Sequence, residues 1–347
     1  MKTTAAVLVE PGKPLAQAEL EIPALKPGQV LVEIHFSGVC HTQVLECRGY
    51  RGEDAYLPHC LGHEGSGTVM EISPGVTKVK PGDKVILSWM KGSGLDVSGT
   101  TYQWNGKKVN AGGITTFGRH SVISENRLTK IPSGISLEEA ALLGCAIPTG
   151  MGSVLNTANP KASQSIAIFG TGGIGLCAAA AASAAQCKPI IAIDINESKL
   201  TLAKQMGATH TIHSNNQDLV QAIKKICPSG LDFAIEATGR PQVMESALLS
   251  VRNQGGSVVV IGNARYGERL QLDPRELNMG KRIFGTWGGD NVPDLDFPKY
   301  AQFIQSKKIN LKPFLTHTYK LGQINQAIED LEQGKAIRPL IDMALNS

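Results

Sequence analysis

Phe169-Gly170-Thr171-Gly172-Gly173-Ile174-Gly175 is the stretch on which the reading of this chain turns, together with Asp194 nineteen residues beyond Gly175. Ahead of the glycines, Ser165 to Phe169 is an apolar run of buried-strand length. Behind them, Leu176 to Gln186 is almost all alanine, which suits a helix packed closely on a sheet. Pro189 to Ile195 reads as a second strand and carries Asp194. Strand, tight turn, helix, strand and acid in that order are the setting a dinucleotide fingerprint requires. Gly170 is expected to allow the turn, Gly172 the approach of a pyrophosphate to the backbone, and Gly175 the seating of helix on strand. Gly173 lies in the same turn, and the helix N-terminus offers unpaired N–H groups to phosphate.

Outward from this motif, strands alternate with helical patterns over about residues 147 to 288: Ser165–Phe169, Pro189–Ile195, His210–His213, Leu231–Ala237, Gly256–Gly262 and Lys281–Trp287. That alternation predicts a parallel, doubly wound sheet of about six strands. Residues 1 to about 145 are punctuated by Gly and Pro and read as strands: Ala5–Val9, Val30–Phe36, Gly67–Ile72, Lys84–Ser88 and Arg119–Ser124. Lys91 to Gly113 reads as one long irregular loop. Ser136 and Glu139 have capping-box spacing at a helix start. The tail returns to mixed patterns, with helices near Phe297–Ser306 and Gln323–Gln333 and a strand near Pro339–Met343.

The 347 residues are enough for two domains with separate cores, and 42% apolar with 18% charged residues is ordinary globular composition. A net charge of +4 without clustering gives no nucleic-acid or membrane surface, and no apolar span has membrane length. Seven cysteines at irregular spacing without any CxxC do not form a disulfide framework. With no visible signal peptide after Met-Lys-Thr-Thr, a cytoplasmic protein is expected.

Three stretches carry soft and imidazole ligands: Gly38-Val39-Cys40-His41-Thr42, Gly62-His63-Glu64-Gly65 and Gly144-Cys145. Two thiolates and an imidazole suit tetrahedral zinc with one position open, as in a catalytic site. From the chemistry alone, buried cysteines and a satisfied core histidine are the favoured reading. Together with Pro81-Gly82-Asp83-Lys84-Val85 and Ile337-Arg338-Pro339, and in this order around the glycine turn, these segments resemble the zinc-dependent medium-chain alcohol dehydrogenases over nearly the whole chain.

That resemblance implies a GroES-like, mostly-β catalytic domain (residues 1–146 and 289–347) and a Rossmann domain (residues 147–288). It also implies transfer of a hydride between a primary alcohol, or its aldehyde, and NAD. Cys40, His63 and Cys145 would bind the catalytic zinc, Glu64 would sit beside the metal and exchange with its water, and Thr42 would accept the alcohol proton. Zinc lowers the pKa of a bound alcohol, and the redox chemistry belongs to the cofactor. Asp194 would hold the adenosine ribose and repel a 2′-phosphate, favouring NAD over NADP. Lys199 would lie near the same ribose, His41 and Arg338 at the pyrophosphate, and Ile174 against the nicotinamide. Trp89 would narrow the substrate pocket. Several of these have plainer readings: Thr42 as a turn residue, Lys199 on a solvated helix face, and Ile174 and Trp89 as packing.

The chain also departs from the family pattern. Gln43 stands where an Asp commonly orients the zinc histidine, and Leu45 where a relay histidine is usual; His41 and Glu46 are substitutes to consider for the proton's exit. No cysteine occurs between Ser88 and Thr116, so the structural-zinc lobe is expected to be missing and one zinc per subunit to remain. Tyr102 stands where the glutathione-dependent formaldehyde dehydrogenases have an arginine, which disfavours an anionic glutathione substrate. Cys47, Cys60, Cys177, Cys187 and Cys227 read as packing residues. A homodimer is expected, with a tetramer as the alternative; Gly256–Gly262 and Lys281–Trp287 would offer the sheet edge. Two competing readings are a zinc-free quinone or enone reductase of the same superfamily and a non-catalytic dinucleotide-binding protein.

Overall fold

A computed structural model describes residues 1–215 and 218–345. They cluster into two compact units: Met1–Cys145 with Val292–Gln305 and Leu311–Ser347, and Ala146–Asn291 with Ser306–Asn310.

The second unit is built on six parallel strands in the order His210–His213, Ile190–Asp194, Ile166–Phe169, Phe233–Glu236, Ser257–Val260 and Arg282–Gly285. This is the doubly wound order that places a ligand crevice beside its first strand. Every residue of Ile166–Phe169 is buried, as expected of a strand covered on both faces. The helix after the glycines runs from Gly173 to Ala184, and Leu176 through Ala182 are all buried. Its small side chains let it pack closely against its neighbours. Of the two segments expected to offer a sheet edge, only Arg282–Gly285 does so; Ser257–Val260 is paired on both sides.

The first unit combines a closed barrel with an open sheet. Lys2–Leu8, Ala16–Glu21, Thr101–Trp104, Lys107–Asn110 and His59–Cys60 close the barrel. Its interior is packed with Val7, Leu20, Tyr102 and Val109. A seven-stranded sheet runs Leu128–Lys130, Lys84–Ser88, Glu64–Ile72, Gln29–Gly38, Leu340–Asp342 and Thr318–Lys320, with His120–Ser124 also pairing Gln29–Gly38. Ser136 caps the Leu137–Leu142 helix and forms the expected capping box with Glu139.

Two expectations for this unit are corrected. The Lys91–Gly113 stretch is not irregular throughout, because it contains the Thr101–Trp104 and Lys107–Asn110 hairpin. Its turn is Asn105-Gly106, both with positive φ (49° and 74°), the two-residue geometry that matches strand twist. A short helix, His41–Cys47, stands where only strands were read. Tyr102 is 1% exposed and its hydroxyl accepts the Val122 N–H at 2.9 Å, so it is a barrel-core residue. Among the described residues no helix is long and apolar enough to cross a membrane.

Candidate metal centre

Hydrogen-bonded strands bring the three ligand segments together. Gln29–Gly38 pairs with Glu64–Ile72 through Ser37 and Gly65, and Glu64 pairs with Ser88 on the next strand. Ser88 Oγ then donates to the Gly144 carbonyl at 2.6 Å, which fixes the residue before Cys145. Cys40 follows the first strand and caps the His41–Cys47 helix, while His63 immediately precedes the second strand. The result is a cluster in which the ligand atoms of Cys40, His63 and Cys145 lie within 4.8 Å of one another.

The electrostatics of the cluster follow from burying two thiols, an imidazole and an ion pair together. Cys145 donates to the Cys40 sulfur, and with the Arg338 charge this holds Cys40 well below the usual thiol range despite burial. The same hydrogen bond, together with burial, holds Cys145 well above it. The hydrogen bond between the two sulfurs thus moves the two thiols in opposite directions. Burial disfavours a charge on His63, but Cys40 and Glu64 outweigh it and raise the imidazole's pKa. On its other side His63 Nδ1 lies 2.7 Å from Gln43 Nε2. His63 Nε2 is buried and makes no hydrogen bond. An unpartnered imidazole nitrogen facing two sulfurs is a donor set that fits zinc, with thiolate and imidazole ligands and a fourth position left open.

Glu64 is not part of that cluster. Its fully buried carboxylate accepts from Arg338 Nε at 2.5 Å, and Arg338 is itself only 4% exposed. The physical reason is visible at Gly38, where an added Cβ would lie 2.1 Å from Glu64 Oε1. The carboxylate is laid across the Gly38 backbone toward Arg338 rather than toward the sulfurs. Burial opposes the Arg338 charge, but Cys40, Glu64 and Cys145 hold the guanidinium firmly protonated. Arg338 Nη2 is buried without a hydrogen-bond partner.

Thr42 Oγ1 lies 3.7 Å from Cys40 Sγ, so its hydroxyl is at the cluster's edge. His41 is exposed at the first helical position, and Leu45 is buried. The Trp89 N–H donates to the His63 carbonyl at 3.2 Å and its own carbonyl accepts from Arg127. Sequence reasoning missed a cavity of about 460 Å³ whose lining includes His63, Gln43, Glu46, Arg51, Asp54 and His59. Trp89 does not line it. On its wall Arg51 pairs with Glu46 at 3.2 Å, and His59 Nε2 lies 2.7 Å from Asp54 Oδ2. The signal for it was the run of ionisable residues between the Cys40 and His63 motifs.

The glycine turn of the second unit is bound into its own surroundings. Asp194 Oδ2 accepts from the Thr171 N–H at 2.7 Å and hydroxyl at 3.0 Å, and Oδ1 from the Asn196 N–H at 3.0 Å. Gly170 has φ +89°, and a Cβ on Gly175 would lie 1.9 Å from the Gly170 carbonyl oxygen. Ile174 is half-buried in the first turn of the helix, and Lys199 is half-buried in the helix that Asn196 caps.

A two-unit dehydrogenase with a Cys/His/Cys zinc site is the class that this fold and cluster define. Residues 26–133 match the alcohol dehydrogenase GroES-like domain and residues 173–306 the zinc-binding dehydrogenase family. An S-(hydroxymethyl)glutathione dehydrogenase of Photobacterium damsela subsp. piscicida is 37% identical, covering 98% of this chain and 100% of that protein. Among solved structures, benzyl alcohol dehydrogenase from Acinetobacter calcoaceticus is 31% identical with a TM-score of 0.90, covering 99% of this chain and 100% of the other. A zinc-binding-domain alcohol dehydrogenase from Burkholderia ambifaria is 30% identical, also at 0.90, covering 99% of each chain. The chain belongs to the zinc-containing medium-chain alcohol dehydrogenase family and is a zinc-dependent NAD(P) dehydrogenase acting on an alcohol or aldehyde.

Proposed function

We propose that the protein oxidises a primary alcohol, or reduces its aldehyde, with NAD as hydride carrier and a single catalytic zinc held by Cys40, His63 and Cys145. The convergence of those three ligand atoms carries this reading and separates it from a zinc-free reductase. When bound, zinc supplies Lewis acidity that lowers an alcohol's pKa, and the dinucleotide supplies the hydride acceptor. The protein's own share is positional. Cys40 enters the site already biased toward thiolate. Thr42 offers a hydroxyl that can both accept and donate, so it is assigned the proton of the reacting alcohol. Glu64 and Arg338 keep a compensated charge pair beside the ligands, so Glu64 acts on the site's field rather than as a fourth ligand.

On the cofactor side, Gly170, Gly172, Gly173 and Gly175 are assigned to the pyrophosphate turn. A Cβ on Gly172 would meet nothing within 4 Å, so protein packing does not explain that glycine, whereas close approach of a phosphate does. Asp194 keeps one unused acceptor site, on Oδ1, for a ribose hydroxyl and would repel a 2′-phosphate, which favours NAD. His41, Ile174, Lys199 and Arg338 keep their assignments to the cofactor, Arg338 by way of its unpartnered Nη2. The exposed edge at Arg282–Gly285, with Phe284 38% exposed, is assigned to pairing between two copies.

A second reading, oxidation of the S-hydroxymethyl adduct of glutathione, is favoured by the 37% identical relative and by Arg51 on the cavity wall. Tyr102 does not argue against it, since that residue is buried in the barrel. Initial rates over a panel of primary alcohols and aldehydes, with formaldehyde plus glutathione included and NAD and NADP compared, decide among these. Turnover of a simple primary alcohol with NAD is expected; activity confined to the glutathione adduct would replace the first reading by the second, and none on any substrate would remove both.

A further inference from the structure

Gln43 stands between two groups that both need its one oxygen when a metal is present. Its side chain is 1% exposed, so no solvent can substitute for a missing partner. Gln43 Oε1 accepts the Cys40 backbone N–H at 3.0 Å, a donor that cannot be reversed. The other end of the amide, Nε2, lies 2.7 Å from His63 Nδ1. An amide nitrogen only donates, so in this arrangement Nδ1 must be the acceptor and a neutral ring carries its hydrogen on Nε2. With Nδ1 taken up by Gln43, Nε2 is the ring nitrogen left for the cluster with the two sulfurs.

A metal needs the Nε2 lone pair, and the ring hydrogen then belongs on Nδ1. Nδ1–H would face the amide N–H. Turning the amide over gives Nδ1–H an acceptor but sets Nε2 against the Cys40 N–H. Neither orientation satisfies both donors where the amide stands, because its oxygen, although able to accept two hydrogen bonds, lies at only one of them. A carboxylate at this position has two acceptor oxygens and would satisfy both at once. The mismatch follows from the two partners lying at opposite ends of the planar amide.

We propose that Gln43 is a positioning residue that holds His63 in the tautomer that does not ligate, so that His63 is the weakly held ligand and zinc is bound in exchange rather than locked in place. The inference rests on the reading of Cys40, His63 and Cys145 as the zinc ligands. It sets how tightly and how reversibly this protein keeps its metal, and it makes Gln43 the residue that tunes this. Partners that orient a ligating imidazole typically change metal affinity by about 10- to 100-fold.

The test uses the full chain labelled with ¹⁵N-histidine, first stripped with a chelator and then titrated with zinc chloride alone against a chromophoric chelator. In the stripped wild type the His63 nitrogen shifts are expected to report the Nε2–H tautomer, changing to Nδ1–H on zinc addition. Gln43→Glu should already show Nδ1–H without zinc, bind zinc at least tenfold more tightly and release it more slowly. Gln43→Asp provides the same carboxylate should the longer side chain fail to fold. The wild-type tautomer is read without any variant. Nδ1–H in the stripped wild type, or unchanged or weaker zinc binding in a folded carboxylate variant, overturns the proposal while leaving the zinc site standing. Absence of zinc binding in every form overturns both, which separates failure of this inference from failure of the site.

Discussion

The glycine turn and the metal centre bury their polar groups in opposite ways. In the turn, the Asp194 carboxylate accepts from Thr171 and Asn196, Thr171 is fully buried with its hydroxyl bonded, and Gly175 seats against the Gly170 carbonyl. The chain itself supplies the partner for each of these groups. In the metal centre, two thiols are hydrogen-bonded to each other, His63 Nε2 and Arg338 Nη2 lack hydrogen bonds, and a buried ion pair lies alongside. A buried polar group left unbonded costs about 1–3 kcal/mol, more when charged. The turn is shaped by what the fold needs and then binds a ligand on its open side. The centre is shaped against the fold's own interest, and a soft metal cation is what reconciles its donors.

If that contrast is right, damage to each region should be separable. The largest effect belongs to the centre. Cys40→Ala should reduce kcat by about a thousandfold or more, roughly 4 kcal/mol, while the affinity for NADH, followed by its fluorescence, stays within about twofold. Comparable turnover in that variant would take Cys40 out of the chemistry. The reverse dissociation comes from Gly175→Ala. Its new Cβ meets a backbone oxygen at 1.9 Å, which no rotamer can relieve. A loss of about 2–3 kcal/mol in unfolding free energy and of NADH binding is expected, with zinc content unchanged. Retained stability would show that helix and strand are less closely seated.

The smallest effect sharpens the comparison inside the first unit. Glu125 is a buried carboxylate that the chain satisfies on its own, accepting the N–H groups of Thr77, Lys78 and Leu95. Burial would raise its pKa, but these three donors win and hold it below the usual range. A depressed folded pKa means that the unfolded chain binds the proton first as pH falls. The stabilisation is therefore complete above the unfolded value of about 4.3 and lost as pH falls through the lower folded value. Glu125→Gln should cost about 1–2 kcal/mol at pH 7, with the gap to wild type closing in acid denaturation below about pH 4, independently of zinc. A gap that tracks zinc content would tie Glu125 to the centre and weaken the distinction.

What could be read from the sequence follows the same divide. The turn is contiguous, so its glycines, the alanine helix and Asp194 announce a parallel sheet at once, and the strands appear within a residue or two of their expected places. The metal ligands are spread from Cys40 to Cys145, and only strand pairing brings them together, so the residues alone left them as one option among several until the resemblance supplied the pattern. The hairpin at Asn105-Gly106 carries a legible turn signal, but the polar composition around it reads as a loop. The Glu64–Arg338 ion pair was not legible for a deeper reason. Which of two buried partners a carboxylate chooses depends on the space over Gly38, and no spacing rule encodes that. The cavity wall at Arg51, Asp54 and His59 carries no motif and emerges only when the 41–63 segment is folded.

The account rests most heavily on the claim that the Cys40, His63 and Cys145 cluster works as a zinc site. Its most direct test is the metal content of the purified protein, measured alongside alcohol-dependent reduction of NAD before and after chelation. The account predicts about one zinc per chain, activity that falls with the zinc removed, and recovery on adding zinc chloride. Full turnover by protein stripped of zinc would contradict it.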